Sequence, residues 1–238
     1  MQALIVIAKA PLLGFAKTRL VGAGALSVEA VARLADAFLR DTLATCARVE
    51  NVRLIVCFAP AESETYFQAL APSAQLVAQV DGDLGMRLSA AFDTAFELGA
   101  SRVVLIGMDT PHVPARVLAR ALRELGRFDC ALGPADDGGY YLIALSARWP
   151  ALFCGIEWST PRVLAQSLER ARAAGATTTL LEGLFDIDDG ASLERLARLL
   201  GPDGEPCPHT ARVLASLRET IPDSGPAGES GGNGIACP

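Results

Sequence analysis

Histidine is scarce in this chain, at His112 and His209 alone, and none of the six cysteines (Cys46, Cys57, Cys130, Cys154, Cys207 and Cys237) belongs to a C-x-x-C pair. A zinc site of the usual ligand type is therefore disfavoured. Several cysteines instead sit inside apolar, strand-like or helical stretches, where Cys behaves as a small buried hydrophobe. That usage predicts a reducing, cytoplasmic setting. The opening apolar run, "LIVIA", is too short to span a membrane, has no basic region before it and is followed by charge. It is expected to be a core strand, with no membrane insertion. Positive charge is also in deficit, with 21 Lys and Arg against 27 Asp and Glu. A general nucleic-acid surface is not expected from a net charge of -6, so cations that cluster locally stand out. Aromatics are few, at 6%, but 51% of the 238 residues are apolar, enough for one sizeable globular core.

Strand-like runs alternate with helical patterns. After "LIVIA", the positions Val31, Leu34, Ala35, Phe38, Thr42 and Cys46 recur at helical spacing, with Ser27 able to cap that helix. "VRLIVCFA" and "RVVLIG" read as strands buried on both faces. Between them fall a short helical piece from Glu62 to Leu70, the extended "QLVAQV", and a helix capped by Asp83 and stopped by Gly99. Pro114 suits the first turn of the next helix, and "CALGPADDGGYYLIAL" reads as two extended pieces around a turn. Further helices are expected from Thr160-Pro161 to Gly175 and from Ala191 to Leu200. The alternation implies βαβ units and a mainly parallel sheet. A single domain over residues 1–221 is expected, and the Gly-, Pro- and Ser-rich stretch over 222–238 reads as a disordered tail.

The stretch "AKAPLLGFAKTRL" follows the first strand with one glycine and the cations Lys9, Lys17 and Arg19. It is not a Walker loop: G-x-x-x-x-G-K-[ST] would need glycine at positions 11 and 16, which hold Pro11 and Ala16. In open parallel sheets ligands bind beyond the carboxyl ends of the strands, and this loop lies at one. Gly14 would permit close backbone approach, and Lys17 and Arg19 could neutralise phosphates; alternatively the cations only meet nearby acids.

Asp109, in "GMDTP", ends another strand and could hold a hard divalent cation, or merely make a turn before the next helix. Gly138 and Gly139 suggest close contact with a ligand, although D-G and G-G are also hairpin signals. Asp186 and Asp188, two apart, point to one side of an extended segment; one could join Asp109 at a metal, while Asp188 or Asp189 could cap the next helix. Ser159 or Thr160 could cap the helix after "WSTP", and a capped helix start can also bind an anion. Arg87, early in a helix, reads more readily as solvated than as a ligand contact.

Taken in order, "KAPLLGFAKTRL", "GDLGMRL", "GMDTP", "GPADDGGYYLIAL" and "EWSTPRVL", together with "AGATTTLLEGLFDIDD", resemble the bacterial DUF2064 family, related to the selenodomain-associated transferase 1 group. The resemblance spans roughly Met1 to Leu200. It implies a three-layer α/β/α fold of the GT-A (nucleotide-diphospho-sugar transferase) kind, with a mainly parallel central sheet. It also implies a divalent cation, Mg²⁺ or Mn²⁺, a nucleotide-activated donor and a small-molecule acceptor. On the matching motifs, Lys9, Gly14, Lys17, Arg19 and Arg87 would bind the nucleotide and its phosphates. Asp109 and Asp188 would hold the metal, and Asp137, Gly138, Gly139, Trp158, Ser159 and Thr160 would face sugar or acceptor. Lys17, Asp109 and Asp137 would be the catalytic set. The expected reaction is glycosyl transfer, with nucleotidyl transfer as the alternative and a non-catalytic nucleotide-binding protein third. The sequence leaves the oligomeric state open.

Overall fold

Strand β1 (Gln2–Lys9) lies at the centre of the molecule, because every one of its apolar residues has a face to cover. In a computed structural model that describes all residues except 16, 18, 24–25, 202–203 and 221–238, β1 pairs in parallel with β2 (Val52–Ala59) on one side and β4 (Arg102–Ile106) on the other. Strand β3 (Gln75–Ala78) extends the sheet beyond β2; β6 (Tyr140–Leu145), β5 (Cys130–Pro134) and β7 (Thr178–Leu180) extend it beyond β4. The order is β3-β2-β1-β4-β6-β5-β7, and β6 is antiparallel to both of its neighbours while the remaining pairs are parallel. Because β2 and β4 flank β1 on opposite sides, the chain reverses its direction of sheet growth between β1 and β4. That is the place where such sheets open a crevice.

The period of two along each strand sends alternate residues to two cores. Leu4, Val6 and Ala8 pack with α2 (Val28–Ala47), α3 (Glu64–Leu70) and α5 (Ala115–Glu124). Ala3 and Ile5 pack on the opposite face with α4 (Leu84–Glu97) and α6 (Val163–Ala173). This gives the α/β/α three-layer arrangement. A third cluster joins Leu20, Val31, Leu34 and Phe38 to Phe185, Ile187, Leu193 and Leu196. It gathers α1 (Arg19–Ala23), α2, α7 (Gly190–Leu199) and α8 (Pro208–Thr220) around the segment that carries Asp186 and Asp188.

Ser27 and Asp83 cap their helices as expected, accepting from the Ala30 and Met86 amides. Asp189, not Asp188, caps α7, in a reciprocal box with Ser192. Two other boundaries differ from expectation. Pro114 stands just before α5 rather than in its first turn. Helix α6 begins at Val163 with Arg162 before it, so neither Ser159 nor Thr160 is its cap; the Thr160 hydroxyl is drawn away by donating to the Glu157 carbonyl at 2.7 Å. Strand β7 and the single turn α1 were not anticipated from sequence. The 222–238 tail lies outside the described residues. Among the described residues, no helix is long and apolar enough to cross a membrane.

Candidate active site

A cavity of about 820 Å³ opens where the carboxyl ends of β1 and β4 meet the amino end of β6. Its volume is that of a small-molecule site. Ile7, Ala8 and Lys9 enter from β1, Gly107 to Thr110 from the loop after β4, and Tyr140 and Tyr141 from β6.

The centre of charge is Lys17. Its Nζ donates to Asp109 Oδ1 at 2.7 Å, to Asp188 Oδ1 at 2.8 Å and to the Ile187 carbonyl at 2.6 Å. The Lys17 side chain is only 5% exposed, whereas Asp109 and Asp188 are 51% and 43% exposed. The ammonium thus lies beneath two carboxylates that face the cavity. Burial disfavours its charged form, but the two carboxylates outweigh this and hold its pKa above the ordinary value. Lys17 reaches this point with φ at +55°, an uncommon conformation for a residue bearing a Cβ. The pairing is a finding that the sequence left undecided: the loop's second lysine is tied to Asp109, from the loop after β4, to Asp188 and to the Ile187 carbonyl. The Ile187 amide also donates to the Asp109 carbonyl at 2.8 Å, so backbone and side chains together lock these segments.

Asp186 stands next to this cluster, bonded by the Thr110 hydroxyl. Burial, with Asp109 and Asp137 nearby, raises its pKa to about 6 against the opposing effects of Thr110 and Lys17. Among the described residues, no three His, Cys, Asp or Glu side chains gather at metal-binding spacing.

The cavity rim carries Lys9, Arg19 and Arg87. Arg19 is 76% exposed and 3.8 Å from Asp188. Lys9 lies over the Phe15 ring at 5.6 Å, and Arg87 donates to the Gly82 carbonyl at 3.1 Å. Gly14, with φ at +71°, shapes the loop but does not line the cavity.

On the opposite wall, Asp137 accepts from the Gly139 amide at 2.8 Å and closes the β5–β6 turn. Asp137 and Gly139 line the cavity; Gly138 does not, serving instead as a packing point. A Cβ there would lie 2.2 Å from the Pro161 carbonyl oxygen, so the turn can seat against the Trp158–Pro161 loop only with glycine. That loop supplies Trp158, Ser159 and Thr160 to the cavity. Ser159 holds φ at +63°, and the Trp158 ring meets Tyr140 edge-on at 6.5 Å. Gly85 allows the approach of α4, since a Cβ would lie 2.8 Å from Trp158 Nε1.

Gln79 escaped sequence reasoning. Its amide donates to the Ala8 and Cys57 carbonyls, both at 2.9 Å, and lines the cavity beside the end of β1. A polar side chain just past a strand's carboxyl end was the available signal. Thr110 was likewise missed, because only its bond to a residue 76 positions away gives it a role.

Residues 42–160 match the family described as an uncharacterized protein conserved in bacteria, DUF2064. A candidate nucleotide-diphospho-sugar transferase from Desulfovibrio desulfuricans G20 shares 31% identity over 92% of this chain and 95% of that one, with a TM-score of 0.81. The chain belongs to the DUF2064 family. The fold of this DUF2064 protein extends to more distant structures. One is 4-diphosphocytidyl-2C-methyl-D-erythritol synthase from Anaerococcus prevotii DSM 20548, at TM-score 0.55 and 11% identity over 91% of this chain and 96% of that one. Another is Rv0371c of Mycobacterium tuberculosis H37Rv in complex with manganese, at TM-score 0.51 and 14% identity over 82% and 96%. Curated protein sequences gave no significant match to the DUF2064 chain.

Proposed function

We propose that this protein is a divalent-metal-dependent transferase that takes a nucleotide-sugar as donor and transfers the glycosyl group to a small-molecule acceptor. The observation that carries the reading is the Lys17–Asp109–Asp188 cluster, set beneath a cavity at the sheet's crevice with Lys9, Arg19 and Arg87 around the rim. The likeness to the Desulfovibrio protein supports the same donor class.

The residues present fit a hard dication. Asp109 and Asp188 already turn one oxygen each toward a single cationic point, and their exposed sides face the cavity. Two carboxylates suffice for Mg²⁺ or Mn²⁺ when phosphate and water complete the shell. The manganese complex of the Mycobacterium fold neighbour agrees with that choice. Bound there, the metal would supply Lewis-acid neutralisation of phosphate charge.

The chain's own groups account for the rest. Lys9, Arg19 and Arg87 would bind and orient the diphosphate through charge-assisted hydrogen bonds. Lys17 would stabilise charge as the sugar–phosphate bond breaks and the nucleoside diphosphate leaves. Asp137, Gly139 and the Trp158–Thr160 loop would position the sugar or acceptor, with Tyr140 and Trp158 forming an apolar wall that excludes water. Seating acceptor and donor in one cavity makes their encounter effectively unimolecular.

A second reading, nucleotidyl transfer, is favoured by the number of cations on one cavity, which suits a triphosphate, and by the shared fold of the Anaerococcus synthase. There the bond at the α-phosphorus would break and pyrophosphate would leave. The test is thermal stability with Mn²⁺ against NTPs, NDP-sugars and NDPs, beside Asp109→Asn. A ligand at a hundred times its Kd adds about 2.7 kcal/mol, and a domain of this size gains about 2–4 °C per kcal/mol. Stabilisation by one NDP-sugar above its parent NDP, lost in Asp109→Asn, and followed by NDP release with an acceptor, is the expected result. Preference for an NTP with pyrophosphate release would replace it with nucleotidyl transfer. No metal-dependent shift with any of them would refute both.

A further inference from the structure

We infer that Lys17 is a built-in counter-ion that occupies the cation position between Asp109 and Asp188, so that a divalent metal binds there weakly until a phosphate-bearing ligand draws Lys17 away. This rests on the reading of Asp109 and Asp188 as metal ligands, and adds an order of events to it.

The argument starts from charge and burial. Two carboxylates held close together repel each other, and the free protein satisfies them with one ammonium at 2.7 and 2.8 Å. A dication held by Asp109 and Asp188 in the place of that ammonium would compete with it directly. Both cations cannot occupy the position, so Lys17 must withdraw. Its side chain is 5% exposed and its third partner is the Ile187 carbonyl. Withdrawing it without a new anion would leave a buried charge unpaired, which is costly. Metal alone therefore competes poorly.

A diphosphate changes that balance. Held at the rim by Lys9, Arg19 and Arg87, it offers Lys17 anionic oxygens in exchange for the carboxylates. The ammonium moves from carboxylate to phosphate while the metal takes its place, and no buried charge is left without a partner. The left-handed backbone at Lys17 and the single glycine at Gly14, whose Cβ position is clear of other atoms, give the loop a means of re-aiming the side chain. The consequence is order: metal binds tightly once the donor has drawn Lys17 away, and the empty site does not bind free metal tightly.

The test measures Mn²⁺ affinity without any nucleotide, from the electron paramagnetic resonance signal of free Mn²⁺, in the wild type, Lys17→Met, Asp109→Asn and the double variant. Lys17→Met is expected to bind Mn²⁺ about tenfold tighter than wild type or more, since removing one competing contact of about 1.4 kcal/mol has that effect. The double variant is expected to lose the gain. Lys17→Met binding no tighter than wild type overturns the counter-ion role; if Asp109→Asn still weakens Mn²⁺ binding, the metal site itself stands. An Mn²⁺ affinity that ignores Asp109→Asn in both backgrounds overturns the metal site and this inference with it.

Should Lys17→Met fail to fold, the wild-type chain provides the readout through the nitrogen NMR signal of the Lys17 ammonium during Mg²⁺ titration. Loss of the paired signal in step with metal loading is the expected result. Metal loading with Lys17 still paired overturns the proposal.

Discussion

Replacing Gly138 by alanine tests whether the two walls of the cavity are joined where the structure joins them. A Cβ at this position would stand 2.2 Å from the Pro161 carbonyl oxygen and 2.7 Å from its Cα, both backbone atoms that no rotamer change can remove. The residue also holds φ at +88°, which disfavours any side chain by about 1–2 kcal/mol. Forcing an extra carbon into a packed contact adds about 1–3 kcal/mol. Gly138→Ala should therefore lose about 2–5 kcal/mol. Gly175 supplies the control, because it has φ at +78° but open space around its Cβ position, so Gly175→Ala should show the backbone term of about 1–2 kcal/mol alone.

The assay is equilibrium urea unfolding of both variants beside wild type, with thermal midpoints as a second reading. At about 2–4 °C per kcal/mol, Gly138→Ala should melt about 4–20 °C lower. The clash also has a direction. Gly138 accepts from the Leu164 amide at 3.0 Å, so relief of the contact must move the Trp158–Pro161 loop off the turn and misplace Ser159 and Thr160. Transfer activity should consequently fall at temperatures where the variant remains folded. A Gly138→Ala stability within about 1 kcal/mol of Gly175→Ala would refute the close seating of turn on loop, and with it the account of how this wall is positioned.

His112 is 6% exposed, neither ring nitrogen has a hydrogen-bond partner among the described residues, and burial together with the Arg195 charge lowers its pKa from 6.5 to about 4. The unfolded chain then holds more protons between those values, so the contribution of His112 to stability should be constant above pH 6.5 and fall by about 3 kcal/mol as pH drops toward 4, against the opposite slope from Asp186; the wild-type minus His112→Leu difference in urea melts should show that fall. Asp41 is buried and accepts from the His209 amide, the Thr210 amide and the Thr210 hydroxyl at 3.0, 2.9 and 2.7 Å, so Asp41→Ala should cost about 3 kcal/mol and raise amide exchange in α8 before other helices. Arg19→Ala should change stability by less than about 1 kcal/mol, its pair with Asp188 being long and exposed, yet weaken donor binding about tenfold in calorimetry.

How much of this was legible in the sequence depends on how far apart the partners lie. The apolar runs of β1, β2 and β4 announce strands buried on both faces because the information is continuous within each run. Ser27 and Asp83 announce caps because a cap bonds an amide three residues away. Strand β7 escapes because "TTL" is three residues long with a partly exposed face, and its pairing with β5 is made by the neighbour rather than by its own composition. The start of α6 was misplaced because Thr160, a good cap by residue type, has its hydroxyl bonded to Glu157.

The site follows the same rule. Each charged residue could be picked out where it stands at the end of a strand, but nothing local states that Lys17 meets Asp188, 171 positions away, and not a phosphate. A Walker loop carries its phosphate cradle in its own backbone amides, so its motif can be read within eight residues. Here Pro11 and Ala16 replace both glycines, and the lysine is fixed by two acids that the sheet and the third apolar cluster bring to it. The near-miss to the motif is therefore informative in itself: this loop holds its lysine through distant carboxylates and not through its own backbone amides. The motifs could nominate Lys17, Asp109 and Asp188 singly, but their meeting follows from the charges that the topology brings together at one crevice.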